Sequence, residues 1–234
     1  MESIQVFLAC YKRIKYTNYI LNNMDKNTCY ENVQFYLIDD GSNDGTDVLL
    51  RQFKEKRPNT VVKIYDKNEG LRVRLLEFFE NATADYLVKI DSDCLFSKGW
   101  LEKLLEIKKK SGIDLLAPDE IQANAARKSG VFDSETNCYI LKSSSSKAVG
   151  GLWIFKRDLL KNVKFQQFKS YGIVKAWNIL LELRYQTGCS MAWTTEVAFN
   201  HLGHRTNFHE LSIVTDEYHA GYMKSIGRSL GRKK

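Results

Sequence analysis

The sequence predicts an α/β fold: a mostly parallel sheet flanked by helices. Two observations carry this. Over residues 4–110, short runs rich in Val, Ile, Leu, Phe and Tyr alternate with stretches whose apolar residues recur at helical spacing. Repeated strand–helix units of that kind bury both faces of a sheet under helices. The chain is also long enough for one compact core. It has 234 residues, 44% hydrophobic, with only two prolines.

The elements follow in order. Residues 4–9, Ile-Gln-Val-Phe-Leu-Ala, read as a buried strand, and residues 16–24 as a short helix. Residues 33–38 are a second strand, and residues 44–56 a helix carrying Val48, Leu49 and Phe53 on one side. Residues 61–65 and 86–90 are further strands around a helix over 71–81. Residues 100–110 form an amphipathic helix built on Leu101, Leu104, Leu105 and Ile107. The second half is less regular. Residues 119–148 are polar, with serines at 143–146, and read as a mobile excursion over the active face. Strands at 149–155 and 191–199 flank a helix over 173–186.

Composition narrows the classes. The chain opens Met-Glu-Ser without a signal-like stretch, and no run of about 18 apolar residues is present to span a bilayer. The five cysteines, Cys10, Cys29, Cys94, Cys138 and Cys189, are scattered without CxxC spacing and read as reduced thiols of a cytoplasmic protein. Net charge is +7, from 35 basic and 28 acidic residues, which suits an anionic substrate, a nucleic acid or an acidic membrane surface. Residues 224–234 hold Lys224, Arg228, Arg232, Lys233 and Lys234 and no acid, either as a solvated frayed tail or as a contact.

In sheets of this type ligands bind beyond the carboxyl ends of the strands. Asp91-Ser92-Asp93 directly follows the fourth strand and turns two carboxylates toward one point. Hard oxygen donors there suit Mg²⁺ or Mn²⁺ bridging a diphosphate. The plainer reading is a turn that caps the helix near Trp100. Asp39-Asp40-Gly41-Ser42-Asn43-Asp44-Gly45-Thr46 follows the second strand. Paired acids before a glycine-rich turn suit a base or ribose, with Asp44 or Thr46 free to cap the next helix.

Together these residues resemble the family-2 glycosyltransferases of GT-A fold. Cys10-Tyr11-Lys12-Arg13 stands at the family's turn after the first strand, and Asp39 to Thr46 matches its most specific element. Asn68-Glu69-Gly70-Leu71, the stretch from Ala84 to Asp93, and Gly150-Gly151-Leu152-Trp153 follow in the same order. The resemblance spans roughly residues 3–205 and is firm to about Trp100. It implies one GT-A domain over 1–234: a nucleotide-sugar half at 1–97, an acceptor half at 98–205 and a basic extension at 206–234. It also implies transfer of a sugar from a nucleoside diphosphate sugar, UDP-linked, to an acceptor hydroxyl with inversion, assisted by Mn²⁺ or Mg²⁺.

Roles carry over by position. Ala9 and Tyr11 line the base, with Arg13 and Gly70 at the nucleotide-sugar site. Asp40, and beside it Asp39, reads the base. Asp91 and Ser92 lie near ribose and metal, and Asp93 is the main metal ligand. His201, then His204, supplies a further metal or diphosphate contact. Arg72 or Arg74 reaches a phosphate, against a solvated helix face. Gly150, Gly151 and Trp153 face the acceptor. Trp177 either stacks on a sugar or fills core.

The pattern breaks at the general base. Counting six or seven residues back from Arg184 gives Asn178 and Trp177, neither of which is an acid. Glu182 after a local shift, an acid of the excursion (Asp119, Glu120, Asp133 or Glu135), or no enzymic base at all remain as alternatives. The acceptor is a soluble glycan, a lipid-linked glycan or a modified base in DNA. Two other classes stand beside this one. A nucleotidyltransferase would want a glycine-rich loop near Lys12-Arg13, which the sequence lacks. A non-catalytic sugar-nucleotide or nucleic-acid binding module would fit the missing base.

Overall fold

The structure, a computed structural model, describes residues 1–120, 130–142, 151–165 and 176–202. Strands β1 (Ile4–Cys10), β2 (Val33–Asp40), β3 (Thr60–Tyr65) and β4 (Tyr86–Ile90) are parallel and lie in the order β3-β2-β1-β4. Helices α1 (Ile14–Asn27), α2 (Thr46–Lys56) and α3 (Leu71–Asn81) connect them. Then come β5 (Cys94–Phe96), α4 (Trp100–Ser111), β6 (Leu115–Glu120), β7 (Gly130–Asp133), β8 (Cys138–Leu141), β9 (Leu152–Lys156), α5 (Ala176–Thr187) and β10 (Met191–His201). The full order is β3-β2-β1-β4-β9-β6-β10-β8-β7, with β5 on the far end of β10. Strand β9 is antiparallel to both β4 and β6, and the sheet runs continuously from one half of the chain into the other.

Alternation along the strands divides the core in two. Val6, Leu8, Phe35 and Leu37 pack against α1, α2 and α4, while Phe7, Tyr36 and Ile38 pack against α3 and α5. Four of the five cysteines are buried, and Cys29 is exposed. One carboxylate organises two helix starts. Asp44 accepts from the backbone N–H of Ile14 at 3.2 Å, from that of Thr46 at 3.1 Å and from the Thr46 hydroxyl at 2.6 Å. It thus satisfies orphan donors at the first turns of α1 and α2, where the helix dipoles favour a negative charge.

The first-half elements stand where the periodicity places them, with α1 longer at both ends. The second half differs. Strands β5 and β6 escape the pattern because they are three and six residues long, and β6, Leu-Leu-Ala-Pro-Asp-Glu, contains a proline. A proline interrupts most central strands. Here Pro118 pairs with Thr194 just before β10 shifts register between Thr194 and Ala198. On its other side β6 meets β9 only through Leu115 and Leu116. The expected mobile excursion is corrected over residues 130–142. That stretch is a hairpin, β7–β8, added to the sheet by antiparallel pairing of β8 with β10. Its tip holds Asp133, whose carboxylate closes the turn on Thr136 at 2.5 Å, with Glu135 exposed beside it.

Gly41 shows why the second motif needs its glycine. Its φ is +76°, and a Cβ there would lie 2.8 Å from the backbone carbonyl carbon of Lys67 and 2.9 Å from the backbone nitrogen of Asn68. Gly41→Ala should therefore lose more than the roughly 1–2 kcal/mol of a left-handed alanine, because backbone must also move. Urea unfolding reads this directly, and a loss below that range would show that the turn has room to adjust.

Candidate active site

The carboxyl ends of β1, β2 and β4 meet at one edge of the sheet, and each delivers a charge. After β1 the chain turns through Lys12, at φ +49°, and presents Arg13. After β4 it turns at once, with the Cys94 N–H bonded to the Asp91 carbonyl at 3.2 Å. Arg13 Nη1 bonds Asp93 Oδ2 at 2.6 Å, and the Arg13 guanidinium sits 5.0 Å from the centre of the Tyr16 ring. The Asp93 side chain is almost fully buried. Its backbone carbonyl accepts from the Leu202 N–H at 2.7 Å, which ties the end of β10 to this turn.

Asp91 has its own cation. Lys89, buried in β4 and two residues earlier, extends along the same face and pairs with the Asp91 carboxylate. The Lys89 ammonium also donates to the Gly151 carbonyl at 3.2 Å, and the Asp91 N–H donates to that same carbonyl at 2.9 Å. Lys89 has no role in the sequence reading. The available signal was a lysine inside an otherwise apolar strand, Tyr-Leu-Val-Lys-Ile, in step with the acid beyond it. Burial, then the fields of Asp93 and Asp91, push the adjacent Cys94 thiol well above its ordinary value.

The acids of the second motif separate onto opposite faces of β2. Asp39 accepts from the Ser42 N–H at 3.0 Å, and burial raises its pKa despite that bond. Asp40 accepts at Oδ1 from Arg74 Nε at 2.7 Å and from the Glu69 N–H at 3.2 Å, and at Oδ2 from the Gly70 N–H at 2.8 Å. A carboxylate offers about four acceptor positions, so Asp40 keeps roughly one for a ligand. Both side chains of the Asp40–Arg74 pair are 4% exposed. The Arg74 guanidinium lies 3.4 Å from the centre of the Tyr65 ring and also meets Glu69 at 3.0 Å. Burial is the largest single influence and works against its charge, but the Asp40 bond and the fields of Asp40 and Glu69 together outweigh it and hold Arg74 above its usual value. The expectation that Arg74 reaches a phosphate is corrected: its charge is spent on Asp40. Arg72, on the same first turn of α3, is half-buried.

Other expected site residues fall as follows. Ala9 and Tyr11 stand half-buried at the end of β1, and Ser92 is buried between the two acids. Gly151 touches the site through its carbonyl. Trp153 is corrected to core: it is 2% exposed and packs 5.4 Å from Phe155 and 6.1 Å from Phe79 between ring centres. Glu182 accepts from Gln186 at 2.9 Å, on the part of α5 leading away from the catalytic edge toward the start of β10. Asp119 and Glu120 close β6 at the catalytic edge, and Asp119 continues the alternation of Leu115 and Ala117 on the face that carries Lys89 and Asp91. His201 pairs with Cys94 in register, placing its backbone beside Asp93. Gly150, His204 and the side chains of Trp177 and His201 lie outside the described residues. Asp91 and Asp93 offer the hard oxygens that Mg²⁺ or Mn²⁺ take. Among the described residues no group of three or more His, Cys, Asp or Glu is placed to hold a metal ion.

A mostly parallel sheet with acid–base pairs along its carboxyl edge is an α/β fold whose ligand site lies beyond the strand ends. The sequence profile of glycosyl transferase family 2 matches residues 5–163, and the chain belongs to that family. The minor teichoic acid biosynthesis protein GgaB of Bacillus subtilis is 25% identical over 205 residues, covering 75% of this chain and 22% of GgaB. Glycosyltransferase AglE of Haloferax volcanii is 25% identical over 149 residues, 62% of this chain and 49% of AglE. The chain thus spans less than half the length of either relative. The fold is GT-A. It superposes on mannosyltransferase PcManGT from Pyrobaculum calidifontis, in complex with GDP-Man and Mn²⁺, with a TM-score of 0.68 at 15% identity over 89% of this chain and 59% of that one. For S. aureus TarS 1-349 in complex with UDP-GlcNAc the TM-score is 0.64 at 16% identity, over 96% and 65% of the two chains.

Removing one partner of a buried ion pair leaves the other charge uncompensated, at a cost of about 3–5 kcal/mol. Arg74→Ala should lose stability on that scale in chemical denaturation. The double variant Arg74→Met with Asp40→Asn should recover part of it. A loss under about 1 kcal/mol for the single change would mean that water reaches Asp40.

Proposed function

We propose that the chain transfers a sugar from a nucleoside diphosphate sugar, UDP-linked, to a glycan hydroxyl. The observation that carries this is Asp93: a buried carboxylate at the turn after β4, fixed by Arg13 at 2.6 Å and by the end of β10. A titratable pair held in a cleft of this kind has a binding role in many enzymes. The complexes of PcManGT with GDP-Man and Mn²⁺ and of TarS with UDP-GlcNAc support a nucleoside diphosphate donor and a divalent ion on the same fold. GgaB, named for minor teichoic acid biosynthesis, supports a glycan acceptor.

Asp93 and Asp91 would hold the ion, with the His201 backbone adjacent. Mn²⁺ or Mg²⁺ there would neutralise charge on the departing diphosphate. Arg13 turns from Asp93 toward the phosphates when donor arrives, so its charge stays in the site and changes partner. Lys89 keeps Asp91 aligned from below. Tyr11 and Ala9 cover the base, and Asp40 offers its last acceptor position to a base N–H.

The geometry favours Asp119 over Glu182 as general base. Asp119 stands near the end of β6 at the carboxyl edge of the sheet, which supports this choice, while Glu182 is bonded down its own helix. Asp119 takes the proton of the acceptor hydroxyl as that oxygen bonds to the anomeric carbon. The bond from that carbon to the diphosphate breaks on the opposite side, with inversion.

Two variants test the scheme. UDP-sugar with Mn²⁺ should stabilise the wild type by roughly 2.7 kcal/mol at 100 times its dissociation constant, and Asp93→Asn should lose this. No response of the wild type to any nucleotide sugar, with or without metal, would sink the donor assignment. Asp119→Asn should keep the donor-induced thermal shift and lose about 10²–10⁴ in kcat. An unchanged kcat would move the base elsewhere.

A further inference from the structure

The opposite end of the sheet carries a groove of about 430 Å³ that the donor site does not use. Tyr86, which opens β4, and Lys156, which closes the antiparallel β9, both line it. Five residues of β4 separate this end from Asp91, roughly 17 Å at 3.3 Å per residue. Lys108 and Lys109 from the last turn of α4 line the groove from the side.

Its charges do not pair off evenly. Glu2 is taken by Lys109. Asp158 binds Lys161 at 3.0 Å. Asp114 accepts from the Ser190 N–H and hydroxyl, both at 2.8 Å. Each acid of the lining therefore has a partner. Lys108 is only 5% exposed, and no hydrogen bond or ion pair reaches its ammonium among the described residues. Among the described residues Lys156 makes no ion pair either, its ammonium lying 5.8 Å from the centre of the Tyr86 ring. Burial pushes the Lys108 pKa down. Asp114 offsets part of this, and the repulsion of Lys156 adds to it.

A buried, unpaired ammonium facing a second one is a costly arrangement. The negative end of α4 offsets part of the cost. That end also serves Lys109 and Lys110, however, and neither of those is buried. Lys108 and Lys156 thus line one groove as two cations close enough to repel, with no acid paired to either among the described residues. A phosphoryl anion satisfies both at once, because it presents several acceptor oxygens to separate donors, with two negative charges in a monoester and one in a diester.

We propose that this groove is a second anion site, in which Lys108 and Lys156 bind a phosphoryl group of a small phosphomonoester or of a phosphodiester polymer. The site stands whether or not the donor assignment does.

Thermal melts of the full chain test it, in phosphate-free buffer with glycerol 3-phosphate or a poly(glycerol phosphate) oligomer added against sodium chloride of equal ionic strength. The wild type should gain stability with at least one of them. Lys156→Gln should melt like the wild type without ligand and weaken the response at least tenfold in apparent affinity. Lys108→Met should melt higher than the wild type without ligand, having lost an uncompensated charge, and should not respond. Asp93→Asn should respond like the wild type. A response to the monoester alone assigns a small metabolite, and one that needs the oligomer assigns a polymer. No response above the chloride control overturns the proposal. So does a response that survives both lysine changes, or one that disappears in Asp93→Asn, which would place the phosphate in the donor cleft.

Discussion

The bond between Asp40 and Arg74 is the joint on which the donor edge turns. Strand β2 has to end in a carboxylate, and the chain buries that charge almost completely. A buried carboxylate survives only with a counter-ion and hydrogen bonds. Arg74 supplies the first, and the N–H groups of Glu69 and Gly70 supply the second. One residue thereby locks the turn after β2 against the loop before α3. Gly41 completes the joint by letting the backbone of Lys67 and Asn68 come into contact with it. This part of the carboxyl edge is then rigid, which is what the orientation of a bound ligand would require.

The same logic repeats across the edge. Asp93 carries Arg13 and Asp91 carries Lys89, so each acid reaches the site already neutralised from within the protein. The three pairs differ in what they can release. Arg74 is locked between Asp40 and the Tyr65 ring. Lys89 is anchored by the Gly151 carbonyl as well as by its acid. Arg13 comes from a short turn with a left-handed residue just before it, and it is the cation best placed to exchange partners.

Much of this was legible in the sequence, and the failures have physical causes. Strands β1, β2 and β4 are buried on both faces, so they read as continuous apolar runs bounded by their motifs, and the acids that follow β2 and β4 were found by position alone. Strands β5 and β6 and the β7–β8 hairpin are short, polar or broken by Pro118. They are strands because β10 offers them a partner, which is a tertiary fact. Position in a motif also misled. Arg74 stands near the family's arginine, yet its charge is consumed at home. Trp153 stands in an acceptor-side motif, yet its ring belongs to the aromatic core around Phe79. Burial and pairing decide such cases, and neither is written in spacing.

The turn holding Asp91 and Asp93 is stitched by contacts distant in sequence. Arg13 reaches Asp93 across 80 residues, and Lys89 reaches Gly151 across 62. The end of β10 closes the turn from still farther along the chain. Contacts so far apart form late, since loop closure must come before any reward. A ribosome that has released only the first hundred residues has made Asp91 and Asp93 with their cations Lys89 and Arg13, but neither the Gly151 carbonyl nor the end of β10 that close the turn. The finished geometry of this turn therefore arises near the end of folding, and a stalled or truncated chain would carry the motifs without their closing contacts.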